Sequence, residues 1–310
     1  MRWLSFAWIA FLLAANTPAY AGDVRQEVIA SAALGRDMKA LVYVPDTYKA
    51  NTRRYPVLLL LHGAGDDETA WIERAKISEM ADELISSGTI PPTLIVMPGC
   101  RACWWIDGKQ DKAESALWND LIPALAKRYR TIESRSGLVI AGLSAGGFGA
   151  VRFALKYPDR VAAVAAISPA IYATAPPAGS AARTQPAFRG SDGRFSQAAW
   201  MAANYPSLQA RYFARDVRVP FYLVSGDGDR LGIAYEAALL FKTLFEYQPD
   251  ITELRIVDGG HNWAMWRKAL RDSMKYLYRF ASPPQDGVAK MTVAAPKIGS
   301  PLTSRFGDPR

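Results

Sequence analysis

Gly142-Leu143-Ser144-Ala145-Gly146 sets a serine between two glycines at the end of the apolar run Gly137–Ala141. Glycines on both sides leave room for a sharp turn between a strand and a helix, with the hydroxyl projecting from its apex. A serine at such a turn is either a plain helix cap or a nucleophile. A hydroxyl attacks poorly until a base takes its proton, and the chain offers two histidines, His62 and His261. His261 follows the apolar run Glu253–Val257 through Asp258-Gly259-Gly260, and it comes after the serine in the chain. His62 comes before it, in His62-Gly63-Ala64-Gly65. A base of this kind needs a carboxylate to orient it, and Ser225-Gly226-Asp227-Gly228-Asp229, between serine and histidine, supplies two candidates. Acyl transfer also needs preplaced N–H donors for the developing oxyanion. The backbone N–H of Ala145, just after the serine, is one, and Ala64 in the small-residue loop after His62 is the other. His62 itself reads as a hydrogen-bonded tether of that loop.

These residues are useful only if strand ends bring them together. Short strands are expected at Leu41–Val44, Pro56–Leu61, Thr93–Met97, Gly137–Ala141, Val161–Ile167, Val219–Val224 and Glu253–Val257. Continuous apolar runs such as Pro56–Leu61 belong to strands buried on both faces, the pattern of a parallel sheet. Helical spacing marks Trp71–Ser87, Ser115–Tyr129, Gly146–Tyr157, Ile233–Tyr247 and Trp263–Phe280. Repeated strand–helix units predict an α/β chain with a mainly parallel, doubly wound sheet and helices on both faces. Residues 170–217, rich in Ala, Pro, Gly, Ser and Arg, break the alternation and are expected as an inserted, loop-rich cap over one end of the sheet.

Composition narrows the alternatives. Half of the 310 residues are apolar and 21% are charged, enough to fill a core. Met1–Ala21 reads as a secretory signal: Arg2, an apolar stretch to Ala15, then Ala19-Tyr20-Ala21 as a cleavage site. Pro283–Arg310 is proline-rich without apolar period and reads as a flexible tail, leaving one domain over about 22–282. The net charge of +8 falls to +5 over that span and is scattered, so no nucleic-acid stripe is expected. No later segment is apolar and long enough for stable membrane insertion. The expected location is therefore secreted or periplasmic.

Tyr55-Pro56 through Gly65, Gly142–Gly147, Tyr157-Pro158-Asp159 and Gly260-His261-Asn262-Trp263 together resemble the putative-esterase family of α/β-hydrolases. That family includes feruloyl and acetyl-xylan esterases, S-formylglutathione hydrolases, enterochelin esterases and mycolyltransferases. Leu121-Ile122-Pro123 ahead of Tyr129-Arg130 looks like its helix before the nucleophile strand. The resemblance spans about residues 40–281 and implies the α/β-hydrolase fold with a Ser-Asp-His triad, carried here onto Ser144, Asp229 and His261. Gly226-x-x-Asp229 matches the acid turn of the fold and favours Asp229; Asp227 is the alternative. The likeness thins over 170–217, so the ester is not identified.

The expected activity is that of an exported serine carboxylic ester hydrolase, acting through an acyl-enzyme on a small-molecule or polysaccharide-linked ester. An acyltransferase with the same triad and a non-catalytic binding protein on the same fold are the alternatives. No cofactor and no metal is expected. Cys100-Arg101-Ala102-Cys103 lies outside any thioredoxin-like unit and has no second ligand pair for zinc, so a small disulfide is the expectation in an oxidising compartment. Trp104-Trp105 beside it either walls a pocket or covers the sheet edge.

Overall fold

The computed structural model describes residues 21–100, 103–108 and 111–286. Of the signal expected over Met1–Ala21 and the tail expected over Pro283–Arg310, residues 1–20 and 287–310 lie outside the described residues. Eight strands, β1 (Asp23–Ser31), β2 (Arg36–Val44), β3 (Val57–Leu61), β4 (Leu94–Pro98), β5 (Leu138–Leu143), β6 (Ala163–Ile167), β7 (Phe221–Gly226) and β8 (Thr252–Val257), form one sheet. Their order is β1-β2-β4-β3-β5-β6-β7-β8. β1 and β2 form an antiparallel hairpin in register Asp23↔Val44 to Ser31↔Arg36, and β2 runs antiparallel to β4. From β4 through β8 every pairing is parallel. This is the mixed, mainly parallel sheet of the α/β-hydrolase fold.

The helices are α1 (Ala70–Ala75), α2 (Ile77–Ser86), α3 (Ala113–Ser115), which continues through a π-helical segment Ala116–Leu121 into α4 (Ile122–Arg128), α5 (Ala145–Lys156), α6 (Gln197–Ala203), α7 (Pro206–Phe213), α8 (Ile233–Tyr247) and α9 (Trp263–Leu277). They cover both faces because the strands are apolar on both. Along β3, Leu59 and Leu61 enter a core completed by α4, α5 and α8, while Leu58 and Leu60 enter a second core completed by α1, α2 and α9. Period-two alternation of side chains thus splits one apolar run between two cores.

Three expectations change in detail. β1, with its outer half exposed, was not among the expected strands. The helix expected over Trp71–Ser87 is two helices, because Lys76 takes a left-handed conformation at φ 54° and turns the chain between them. The expected cap over 170–217 carries α6 and α7 and packs closely: Phe188, Trp200, Tyr205 and Tyr212 are buried. The Trp200 indole and the Asn204 amide both donate to the Tyr172 carbonyl, at 3.0 and 2.6 Å. Arg54 and Gln285 exchange backbone hydrogen bonds of 2.8 and 3.0 Å.

Candidate active site

Ser144 lies between the last residue of β5 and the first of α5, with φ 51° and ψ −114°. A non-glycine residue there costs on the order of 1–3 kcal/mol and persists only when its surroundings enforce it. They do. The Ser144 N–H donates to the Ile167 carbonyl of β6 at 2.9 Å, and the Ser144 carbonyl accepts from Phe148 and Ala170 at 2.9 and 3.1 Å. The two glycines of the motif are required by contact. A Cβ on Gly146 would lie 2.2 Å from the Leu61 carbonyl oxygen, and one on Gly142 would lie 2.4 Å from Gly146.

His261 stands beyond the end of β8, and its Nε2 is 3.0 Å from Ser144 Oγ. Its Nδ1 is 2.7 Å from Asp229 Oδ2. The Asp229 side chain is fully buried, and its second oxygen accepts the Leu231 N–H at 3.0 Å. Asp227 does something else. Its Oδ1 accepts the N–H groups of Gly228 and Gly259, at 2.7 and 3.1 Å, and so ties the end of β7 to the loop that carries His261. One residue that the sequence did not single out packs against the imidazole. The Trp266 ring meets His261 edge-on at 4.8 Å, and the Trp266 indole N–H donates to the buried Ser168 Oγ at 3.2 Å. Asn262, the residue after His261, caps α9 by accepting the Met265 N–H at 3.2 Å, which fixes where that helix begins.

The loop after β3 passes beside the serine: a Cβ on Gly63 would be 3.6 Å from Ser144 Cβ. Gly63-Ala64-Gly65-Asp66 is a turn closed by Asp66 N–H to the Gly63 carbonyl at 3.3 Å, with Gly65 at φ 84°. Ala64 is exposed at its apex, and Ala145 is the first residue of α5, so its N–H has no partner within the helix. His62 is buried away from the reacting group. Cys100 N–H donates to its Nε2 at 3.1 Å, so its Nδ1 carries the proton and donates to the Gly63 carbonyl at 2.7 Å. Burial holds its pKa below the usual histidine value, against the smaller opposing pull of that carbonyl and of Asp66.

Cys100 and Cys103 are joined as a disulfide with Cα atoms 5.5 Å apart. Trp105 is fully buried; Trp104, nearly as buried, packs on Phe148 and Phe188 at 5.4 Å each. Trp104 also lines a cavity of about 200 Å³ together with Cys103, Asp111 and Gln185. Among the described residues no group of three or more His, Cys, Asp or Glu side chains could hold a metal ion. Among them, too, no helix is long and apolar enough to cross a membrane.

A serine hydroxyl, an imidazole and a buried carboxylate in hydrogen-bonded series can move one proton and one acyl group. Comparison with known proteins gives the family. The family model described as "Putative esterase" matches residues 31–277. The chain belongs to the putative-esterase family. An endo-1,4-beta-xylanase/feruloyl esterase of Xylanibacter ruminicola is 32% identical over 147 residues, covering 44% of this chain and 20% of that protein. An esterase of Mycobacterium tuberculosis is 32% identical over 133 residues, covering 41% of this chain and 28% of its own length. The matches therefore span less than a third of each of these curated relatives. Among solved structures, a ferulic acid esterase superposes with a TM-score of 0.71 at 25% identity, over 84% of this chain and 98% of that one. An S-formylglutathione hydrolase from Agrobacterium tumefaciens shares the fold of this esterase-family chain, with a TM-score of 0.66 at 22% identity over 85% and 97% of the two chains.

Proposed function

We propose that this chain is a serine carboxylic ester hydrolase that works through an acyl-enzyme, with Ser144 as nucleophile, His261 as base and then acid, and Asp229 as the group that orients it. The observation that carries the reading is the unbroken line from Ser144 Oγ to His261 Nε2 at 3.0 Å and from His261 Nδ1 to Asp229 Oδ2 at 2.7 Å.

Ser144 Oγ attacks the ester carbonyl carbon while its proton passes to His261 Nε2. The carbonyl oxygen becomes an anion and takes hydrogen bonds from the N–H groups of Ala145 and Ala64. A donor of this kind is worth about 3–4 kcal/mol in the transition state. The tetrahedral species then expels the alcohol, which takes the proton from His261, and leaves the acyl group on Ser144. Water, deprotonated by the same imidazole, attacks the acyl carbonyl, and collapse returns the acid and free serine. Asp229 keeps the proton on Nδ1 throughout, so Nε2 always faces the serine as an acceptor at the start of each half-reaction.

The names of the relatives, a xylanase/feruloyl esterase and a ferulic acid esterase, favour an aryl ester, free or attached to a polysaccharide, as substrate. The leader pattern in Met1–Ala21 and the Cys100–Cys103 disulfide favour export to an oxidising compartment. Hydrolysis of a panel of nitrophenyl and hydroxycinnamoyl esters, by wild type and by Ser144→Ala, tests the proposal. Wild-type turnover abolished in Ser144→Ala is expected, and full activity in that variant overturns it. Adding an alcohol acceptor and analysing products distinguishes hydrolysis from transfer.

A further inference from the structure

The Cys-x-x-Cys pair and His62 take no part in the proton relay, yet they meet one another beneath the oxyanion turn. The Cys100 N–H donates to His62 Nε2 at 3.1 Å, and the indole N–H of Trp105 donates to the His62 carbonyl at 3.1 Å, with the two rings edge-on at 5.0 Å. Both donors lie on the segment that carries the disulfide. Cys103 N–H returns to the Cys100 carbonyl at 3.1 Å, and Trp105 N–H is 3.4 Å from Cys103 Sγ. Trp105 also takes a left-handed φ of 57° and presses on α5, where a Cβ on Gly149 would come within 2.6 Å of Trp105 Cβ. The same short segment therefore touches the strand end that leads to Gly63-Ala64 and the helix that begins with Ala145. These are the two sources of the N–H donors assigned above.

We propose that the Cys100–Cys103 disulfide, through His62 and Trp105, is a positioning unit for the oxyanion donors, so that hydrolysis depends on the redox state of this pair. This rests on the reading of Ser144 and the donors given under Proposed function. A dithiol reductant opens the bond by thiol–disulfide exchange: one of its thiolates attacks a cysteine sulfur and the other cysteine leaves as thiolate. The second thiol then displaces the first cysteine, giving two cysteine thiols and an oxidised, cyclic reductant. The cysteines are buried, and cavities of about 320 and 200 Å³ are lined in part by Cys100 and Cys103 respectively; these are the sides from which a small reductant approaches in this proposal. Once opened, the turn no longer fixes the aim of the Cys100 N–H or the seat of Trp105, and the Ala64 N–H loses its fixed distance from the reacting carbonyl. Ser144, His261 and Asp229 are untouched, so the loss falls on transition-state stabilisation rather than on ground-state binding.

The test reads kcat and KM separately for an aryl ester, before reduction with dithiothreitol, after reduction with both thiols alkylated and counted by mass, and after reoxidation of an unalkylated sample. A drop of about 10- to 100-fold in kcat is expected, with KM changed less than about twofold and activity restored on reoxidation. A trifluoromethyl ketone, whose hemiketal anion occupies the oxyanion position, should lose affinity in parallel. Trp105→Phe keeps the disulfide and most of the packing while removing the indole N–H, and it should show the same split between kcat and KM without reduction. This second variant keeps the proposal open to refutation even where reduction lowers stability. Unchanged kcat in both the fully alkylated protein and Trp105→Phe overturns the proposal. Ser144→Ala, assayed alongside, separates the two claims: activity surviving in that variant refutes the assignment of Ser144 as nucleophile, whereas activity lost there but insensitive to reduction refutes only the redox dependence.

Discussion

Replacing Asp229 by asparagine changes one oxygen for an NH2 group and almost nothing else, which makes it the sharpest probe of the site. The side chain is fully buried, and its Oδ1 accepts the Leu231 N–H at 3.0 Å. In Asp229→Asn the amide oxygen must keep that position, because an NH2 group there would face another donor. The NH2 is then directed at His261 Nδ1, 2.7 Å away in the native arrangement, and needs a lone pair on it. The imidazole answers by carrying its proton on Nε2, the atom 3.0 Å from Ser144 Oγ. A base that already holds a proton on that nitrogen cannot take one from the serine. Loss of the correct tautomer costs about 10⁴-fold in kcat, or ~5 kcal/mol at about 1.36 kcal/mol per decade. KM and melting temperature should move little, since the amide fills the same volume and no buried charge is left unpaired. Asp227→Asn is the control. Its carboxylate braces Gly228 and Gly259 on an exposed turn, so that variant should lose about 1 kcal/mol of stability and less than about tenfold in kcat. Initial rates with a short-chain nitrophenyl ester, paired with thermal melts, decide the matter. If Asp229→Asn keeps a tenth of wild-type kcat, or Asp227→Asn falls as far as Asp229→Asn, the tautomer argument is wrong.

Two further outcomes follow from groups away from the reacting atoms. Glu114, almost fully buried, accepts from Arg152 at 3.1 Å, Lys156 at 2.5 Å and the Tyr157 hydroxyl at 2.5 Å, joining α3 to the C-terminal half of α5. Glu114→Ala leaves the buried Arg152 guanidinium without its counter-charge and should cost about 3–5 kcal/mol by urea denaturation; a loss below about 1 kcal/mol would contradict that assignment. His62 is held neutral by burial, with its folded pKa below the unfolded value of 6.5, so the unfolded chain binds the extra proton first as pH falls. The stability this contributes is present above pH 6.5 and declines below it, toward the folded pKa. The difference in unfolding free energy between wild type and His62→Gln should therefore shrink from roughly pH 7.5 to roughly pH 5; a difference independent of pH would refute the neutral, buried imidazole.

The parallel half of the sheet was legible because its strands are apolar on both faces, as in Leu58–Leu61 and Val139–Ala141, and each is punctuated by glycine or proline. β1 was not, because an edge strand that buries only its end, with Val24 and Val28 exposed, carries too little pattern to stand out. The break at Lys76 has no local cause in the sequence: lysine has no preference for φ 54°, and the turn exists because α1 and α2 each need their apolar side against the core that contains Trp71, Ile77 and Leu84. α6 and α7 were hidden for a related reason. Each is short and anchored by single large side chains, Trp200 and Tyr212, rather than by a repeating face. The same limit applied at the site. Ser144, Asp229 and His261 belong to motifs that can be read locally, whereas Trp266 and Ser168 meet only through a contact across 98 positions of sequence.

The sheet order explains why the candidate triad needs its glycines as much as its functional groups. Ser144 follows β5, while Asp229 and His261 follow β7 and β8, two and three strands away. At about 4.8 Å between neighbours, the end of β8 is ~14 Å from the serine strand, too far for an imidazole to cover directly. The loop after β8 must fold back across β7. Gly226 permits it, since a Cβ there would come within 2.1 Å of the Gly259 carbonyl oxygen, and Gly259 adopts φ 143°, a conformation closed to other residues at that contact. The N–H of Gly228 then donates to the Gly259 carbonyl at 2.9 Å and Asp227 accepts the Gly259 N–H, so the fold-back is locked from both sides. The turn after β7 thus does two jobs with neighbouring residues: Asp227 and the glycines bring the histidine loop inward, and Asp229 orients the ring that arrives. That division of labour is why two aspartates in one short turn could not be told apart by type alone, and why their substitutions should separate stability from catalysis.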